Sequence, residues 1–461
     1  MTQDTETIVV VPLGALGAGL DPAHLEAGLA PGAHAIALDA GSTDSGPSCL
    51  ATGISKYSRE AIKRDLEVLM AAQARYRVPL LIGSCGTAGG DAGVDWTRDI
   101  ALEIAAELDL RPRIATLYSE QSREVVKDKL GQGLIRPLAP LGPLDQATVS
   151  RCEHIVALMG PEPYIAALEE GADIVLGGRT TDTAVIAAVP LWRGAGTGPA
   201  WHAGKISECG GLCTTDPTDG GVVVSVGKDA FEIWPLSATN RCDIYSVSAH
   251  MLYENTDPFH LAEPGGTLDV SEARYEAVDD RRVRVTGSRF LPSPYTMKLE
   301  GAALGPYQTL MWVGIADPEV LAAIDRFVAS LHAALVQRVG KVLGLAVDAF
   351  DISLRPYGWN AVSGLPVQDG VPPPREIGLM FVATAQSQDL ATQIARTCNP
   401  YFFHFPVRRG KELPSYGFPF SPAEVERGRS YEFVLNHVVE TADGEELVRR
   451  VMIDPQPGTG A

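Results

Sequence analysis

Several absences narrow the possibilities before any motif is read. No apolar run in the 461 residues approaches the roughly 20 that a membrane helix needs, so a membrane is not an expected partner. The opening, MTQDTETIVVV, lacks a basic segment followed by an apolar one; a secretory signal is not expected and the cytoplasm is. Cysteine is sparse and odd in number, seven in all, too thin for a disulfide framework and suited to a reducing compartment. Basic residues are in deficit, 38 against 57 acidic, for a net charge of −19. That balance repels nucleic acid and anionic lipid, and an anionic substrate would need a local basic pocket. The dinucleotide fingerprint GxGxxG, the phosphate loop GxxxxGK[ST] and the zinc motif HExxH are all missing, so no dinucleotide cofactor is expected.

What is present is a regular alternation. Thr7–Gly14, His34–Gly41, Val78–Gly83, Arg113–Tyr118, His154–Gly160 and Ala172–Gly178 are short apolar runs, most of them ending in glycine. Between them lie segments of helical period, the strongest over Ser58–Tyr76 with Ser58 as its N-cap, others near Val94–Leu108 and Ser122–Leu130. This order predicts βαβ units, a mostly parallel sheet and helices on both faces. After Cys213 the texture becomes that of antiparallel strands, with a hairpin over Ala273–Phe290 turning at Asp279–Asp280. From Tyr307 the order is strand, long helix (Pro318–Leu343), two strands, helix (Ser387–Thr397) and a strand at YFFHFPV, a ferredoxin-like pattern. The expected divisions are an α/β domain at 1–215, a β-rich extension at 216–300 and a ferredoxin-like α+β domain at 301–461.

Ligands of open α/β sheets bind beyond the carboxyl ends of the strands, and the polar glycine-tipped junctions there supply the candidates. DAGSTDSGP brings Asp39, Ser42, Thr43 and Asp44; with Asp91 these acids could hold a divalent cation, or they could close a turn on their own backbone. GSCGTAGGDAG brings Ser84, Gly86 and Cys85, an anion cradle with a possible nucleophile, or a tight turn around a buried thiol. GGRTTD offers Arg179 and Thr180 for a carboxylate and Asp182 as a base, or a surface ion pair at a helix start. WHAGKISEC places His202, Lys205 and Glu208 at i, i+3 and i+6, an acid–base set or the polar face of a helix. AHMLYENTDPFHLAEPGG is dense in acid–base residues, His250 first among them, with Tyr253, Glu254, Asp257 and His260, or a polar loop. Cys209 and Cys213 lack a second ligand pair and read as buried thiols rather than half a zinc site.

The segments MGPEPYIAALEEGADIVLGGRTTDTAV, GKISECGG, SAHMLYENTDPFHLAEPGGTLD and PFSPAEVERGRSYEF resemble the acyclic terpene utilisation (AtuA) family, over about Val9 to Val438. The resemblance implies a cytosolic role in the catabolism of carboxylic acids or their acyl-CoA thioesters. It supplies no catalytic assignment.

Three readings follow. In the first, the chain is an enzyme of lyase or hydratase type: Arg179 and Lys205 with Thr180, Ser42, Thr43, Ser84 and Gly86 hold a small acid or thioester, and Asp182, His202, Glu208 and His250 move protons. In the second it is a hydrolase using Cys85 or a metal-bound water. In the third it is a non-catalytic binding or scaffold subunit. A homo-oligomer is expected in each.

Overall fold

The computed structural model describes residues 6–368, 370–408, 410 and 416–455. The proline- and glycine-rich end beyond Pro455, expected to fray, lies outside them. The chain divides into a larger unit, 1–303 with 432–461, and a smaller one, 304–431. The described residues from Glu432 to Pro455 thus belong with the larger unit and not with the stretch that precedes them.

The larger unit is built on a ten-stranded sheet. Its centre is five parallel strands in the spatial order Thr7–Val11, Ala35–Asp39, Leu80–Gly83, Ile174–Gly177, Ile114–Tyr118. The apolar runs are continuous because both faces are covered. Val9 and Val11 point to one core with Ala35 and Ala37; Val10 points to the other with Ile36 and Leu38. On the first face lie the helices Asp182–Trp192 and Thr197–Ser207; on the second lie Pro22–Leu29, Arg59–Tyr76 and Asp91–Glu107. Antiparallel strands extend both edges. Val222–Val226, Ala230–Pro235 and the hairpin Arg274–Ala277/Val283–Thr286 continue from Thr7–Val11, and Arg449–Ile453 closes on Ile114–Tyr118. The β-rich segment after Cys213 is therefore largely an extension of the main sheet, which is mixed at its margins and parallel at its centre.

One expected parallel strand is elsewhere. Cys152–Ala157 pairs antiparallel with Leu299–Ala303, outside the ten-stranded sheet. Its run of buried Ile155, Val156 and Ala157 is as apolar as that of a central parallel strand, so periodicity alone does not separate the two placements.

The Arg59–Tyr76 helix begins as predicted, with Ser58 Oγ accepting from Ala61 N at 3.3 Å. Ser58→Ala should lower stability by about 1 kcal/mol, the usual worth of such a cap; urea unfolding followed by circular dichroism measures it.

In the smaller unit, Tyr307–Ile315 pairs antiparallel with Ile377–Ala385, which pairs antiparallel with Asp351–Tyr357. The helices Ile324–Leu343 and Gln388–His404 cover this sheet through Phe327, Leu331, Leu335, Ile394 and Cys398. The strand expected at YFFHFPV is instead the end of the second helix, which runs to His404 through Pro400. Cys398, Phe402 and Phe403 all face the core, at the i, i+4 and i+5 positions of a helical stripe.

Candidate functional site

The parallel strands deliver three junctions to one edge. Asp39 is in register with Gly83, and Ile82 with Leu176, so the turns after Asp39, Gly83 and Gly177 lie side by side. Backbone bonds from Ala40 N to Gly83 O and from Ser84 N to Gly178 O lock them together. Ser84 takes a left-handed conformation, φ 46°, at the tip of its turn. Gly89 is also left-handed, and a side chain there would run into the Arg179 backbone; the glycine-rich loop lets the Arg179 turn approach.

Arg179 organises this edge and is buried. Its Nε donates to Glu300 Oε2 at 3.1 Å. Nη1 donates to Ser84 Oγ, Thr180 O and Asp182 Oδ1 at 3.2, 3.2 and 3.3 Å, and Nη2 to Thr43 Oγ1 at 3.4 Å. Glu300 also accepts from Thr43 Oγ1 and holds Lys298 at 2.7 Å. Burial works against the Glu300 charge, but Arg179 and Lys298 outweigh it and hold the carboxyl at about 2. The guanidinium expected to grip a substrate carboxylate is thus engaged with the protein's own oxygens. Asp39 lies behind the same edge; burial, then the neighbouring Asp182 charge, raises it well above the ordinary carboxylate range. Thr180 receives or gives a 2.7 Å bond with the Tyr164 hydroxyl.

In front of this edge is a cavity of about 320 Å³. Five acids (Asp44, Asp182, Glu208, Glu254, Glu263) and three bases (Arg179, Lys205, Lys298) line it. Asp182 starts its helix and is raised by burial, with Arg179 opposing. The helix Thr197–Ser207, buried on every side, carries Lys205, whose Nζ donates to Glu208 Oε1 at 2.5 Å. Glu208 Oε2 accepts from Thr183 Oγ1 at 3.1 Å. Burial pushes Glu208 up to about 8 despite Lys205. Glu263, at the end of the strand His260–Glu263, is pushed by burial up to about 7.

The other candidates are placed as follows. Ser42 and Asp44 bond to each other at 2.6 Å in an exposed 3-10 turn. Asp91 lies at the start of its own helix, bonded to Glu120 and paired with Arg449. Asp39, Asp44 and Asp91 do not gather; among the described residues the one set of three His, Cys, Asp or Glu ligand atoms within 4.8 Å of one another is Glu208, Cys209 and His250. Gly86 packs directly on Gly93, so that turn seats a helix rather than cradling an anion. Cys85 is fully buried, and burial, then Asp39, pushes its thiol up to about 12. His202 is in the core, bonded to Ser288 Oγ at 2.7 Å and Tyr275 Oη at 3.1 Å, and burial pulls it down to about 3. His202, in the middle of its helix, and Glu208, at the C-cap six residues on, face different surroundings. His250 stacks on Tyr253 and lines a second hollow with Thr214 and Asp243; burial, then Lys205, pulls it down to about 4. Asp257 and His260 form an exposed pair.

Sequence reasoning singled out neither Glu263 nor Glu300 nor Lys298. Glu263 lies within the acid-rich loop segment and was hidden by its neighbours. Glu300 falls in the polar register of TMKLEGA with Thr296 and Lys298, so nothing in the alternation marks it as buried; its partner, Arg179, is 121 positions away.

Residues 54–411 match the model of a family described as acyclic terpene utilisation family protein AtuA. Neither a curated protein nor a solved structure matches the chain.

Proposed function

Because this chain belongs to the acyclic terpene utilisation AtuA family, we propose that it is a catabolic enzyme of lyase or hydratase type, working by acid–base chemistry on a small organic acid carried as its thioester. The observation that carries the reading is the convergence of Asp182, Lys205, Glu208 and Glu263 on one cavity wall at the carboxyl edge of the parallel strands. Addition or elimination of water needs one group to take a proton and a second to give one, and the wall offers several. Its charge bears on the substrate form. With acids in excess and Arg179 and Lys205 both paired internally, a free carboxylate is opposed; masking the carboxyl as a thioester removes that penalty. Lys298, 40% exposed at its side chain, is the cation best able to turn toward an acyl oxygen.

The cysteine version of the hydrolase reading finds less support, since Cys85 is fully buried and burial pushes its thiol up to about 12. For the smaller unit we adopt the ferredoxin-like reading. What supports it is the strand order within the unit, with Ile377–Ala385 between Asp351–Tyr357 and Tyr307–Ile315, two helices covering the sheet.

The test is proton exchange in D2O, followed by NMR, across branched acyl-CoA thioesters and their free acids. Deuterium should enter next to the carbonyl of at least one thioester, faster than for its free acid, and Asp182→Asn should abolish it. Exchange with none of the panel would favour the binding-subunit reading.

A further inference from the structure

The helix Thr197–Ser207 is capped by Glu208, which lines the cavity, and Cys209 follows directly. Across from them is His250, 5% exposed, whose Nε2 is buried and has no hydrogen-bond partner among the described residues. An orphaned buried imidazole nitrogen costs stability unless something fills its lone pair or takes its proton. A carboxylate oxygen of Glu208, Cys209 Sγ and a ring nitrogen of His250 all lie within 4.8 Å of one another. We propose that these three side chains form a binding site for a divalent transition metal, zinc by preference.

The donor set argues for that choice. Sulfur, imidazole nitrogen and carboxylate oxygen together suit zinc, whereas magnesium and calcium take oxygen donors. Zinc bonds of about 2.0–2.3 Å put tetrahedral ligands roughly 3.3–3.8 Å apart. A spread within 4.8 Å needs at most about 1.5 Å of closure to reach that geometry, within reach of side-chain rotation. Three protein donors leave a fourth position for water, the pattern of an open site.

The surroundings favour a cation. Glu208 and Cys209 sit at the carboxyl end of an eleven-residue helix, where the macrodipole is negative. The cavity that Glu208 lines has five acids to three bases. Lys205 occupies one Glu208 oxygen and Thr183 touches the other; a carboxylate has about four lone-pair sites, so both bonds can persist beside a metal. The site goes beyond the proposed reaction and does not depend on it, because occupancy is read without turnover.

The full chain, stripped with a chelator, is titrated with Zn2+ against a chromophoric chelator and separately with Co2+. One equivalent should bind, and the cobalt form should show thiolate-to-metal charge-transfer absorption. Cys209→Ser and His250→Gln should each weaken binding at least about tenfold, while Cys213→Ser should bind like the parent. Zn2+ should also protect Cys209 of the parent chain from iodoacetamide, read by peptide mass mapping, which decides the matter even where a variant does not fold. No stoichiometric uptake, no thiolate absorption in the parent, or the absorption persisting in Cys209→Ser overturns the site.

Discussion

Arg179→Met is expected to destabilise the larger unit by about 3–5 kcal/mol, the usual cost of removing one partner from a buried charge network. The guanidinium is 5% exposed and donates to Glu300, Ser84, Asp182 and Thr43. Removing it leaves Glu300 with Lys298 as its one bonded cation, takes the bonded cation from Asp182, and leaves Asp39 without the nearby positive charge that partly offsets its burial. The pH dependence gives the sharper test. Glu300 is held at about 2, below an unfolded carboxyl. Its contribution is therefore present above the unfolded value and lost as pH falls through the folded one. The variant's deficit should be largest at neutral pH and shrink toward pH 4, where the stranded carboxyls take up protons. Urea unfolding at both pH values measures it, and a neutral-pH loss under about 1 kcal/mol would show that the network is not what holds these turns together.

Glu263→Gln should pull activity and stability in opposite directions. As a proton acceptor in the cavity, Glu263 is expected to contribute about 10²–10⁴-fold to kcat/KM on an accepted thioester. Activity should rise with pH through about 7, where burial holds its carboxyl, and that limb should vanish in the variant. The stability effect has the reverse sign. Between the ordinary glutamate value, about 4.3, and 7 the unfolded chain ionises while the folded carboxyl keeps its proton. Stability then falls with rising pH across that window, and the cost is complete above it. A rise from about 4.3 to about 7 amounts to about 4 kcal/mol at 1.36 kcal/mol per tenfold in proton affinity. Gln carries no charge to desolvate, so the variant should be more stable than the parent at pH 8, by about 1–3 kcal/mol after the loss of imperfectly matched hydrogen bonds. At pH 4 the two should unfold alike. An active, pH-unchanged variant would remove Glu263 from the chemistry. A variant less stable at pH 8 would mean that the carboxylate is welcomed by its surroundings.

The opposition follows from where the residue stands. A carboxyl poised near neutrality has to be buried, and burying it costs folding energy that the rest of the sheet supplies. Glu208, raised to about 8 beside Lys205, belongs to the same pattern. Arg179 and Glu300 show the other outcome of burial: a pair so well matched that both charges persist and neither is free for a ligand.

Much of the scaffold was readable from local pattern. Continuous apolar runs of four or five residues marked the central parallel strands, because side chains on both faces of a covered sheet are buried and no polar alternation survives. Ser58 marked a helix start through an oxygen that can reach a backbone N–H three residues on. Glycine-tipped junctions at Asp39, Gly83 and Gly177 did come to one edge, since parallel register leaves them no other arrangement. Each of these is a short-range or periodic effect, carried by neighbours in the chain.

What the tertiary structure alone decided was who meets whom. Cys152–Ala157 has the composition of a central strand, yet it pairs with Leu299–Ala303 outside the main sheet. Asp91 and Arg179 both follow glycine-rich junctions, yet Asp91 turns to Glu120 and Arg449 while Arg179 turns inward. His202 and Glu208 belong to one helix and its cap, yet one is sealed against Ser288 and Tyr275 and the other opens to the cavity. Charge, burial and protonation depend on atoms brought together from more than a hundred positions apart, as with Arg179 and Glu300. Local sequence names the groups able to do chemistry; long-range packing sets the dielectric and the partners that determine which of them are left to do it.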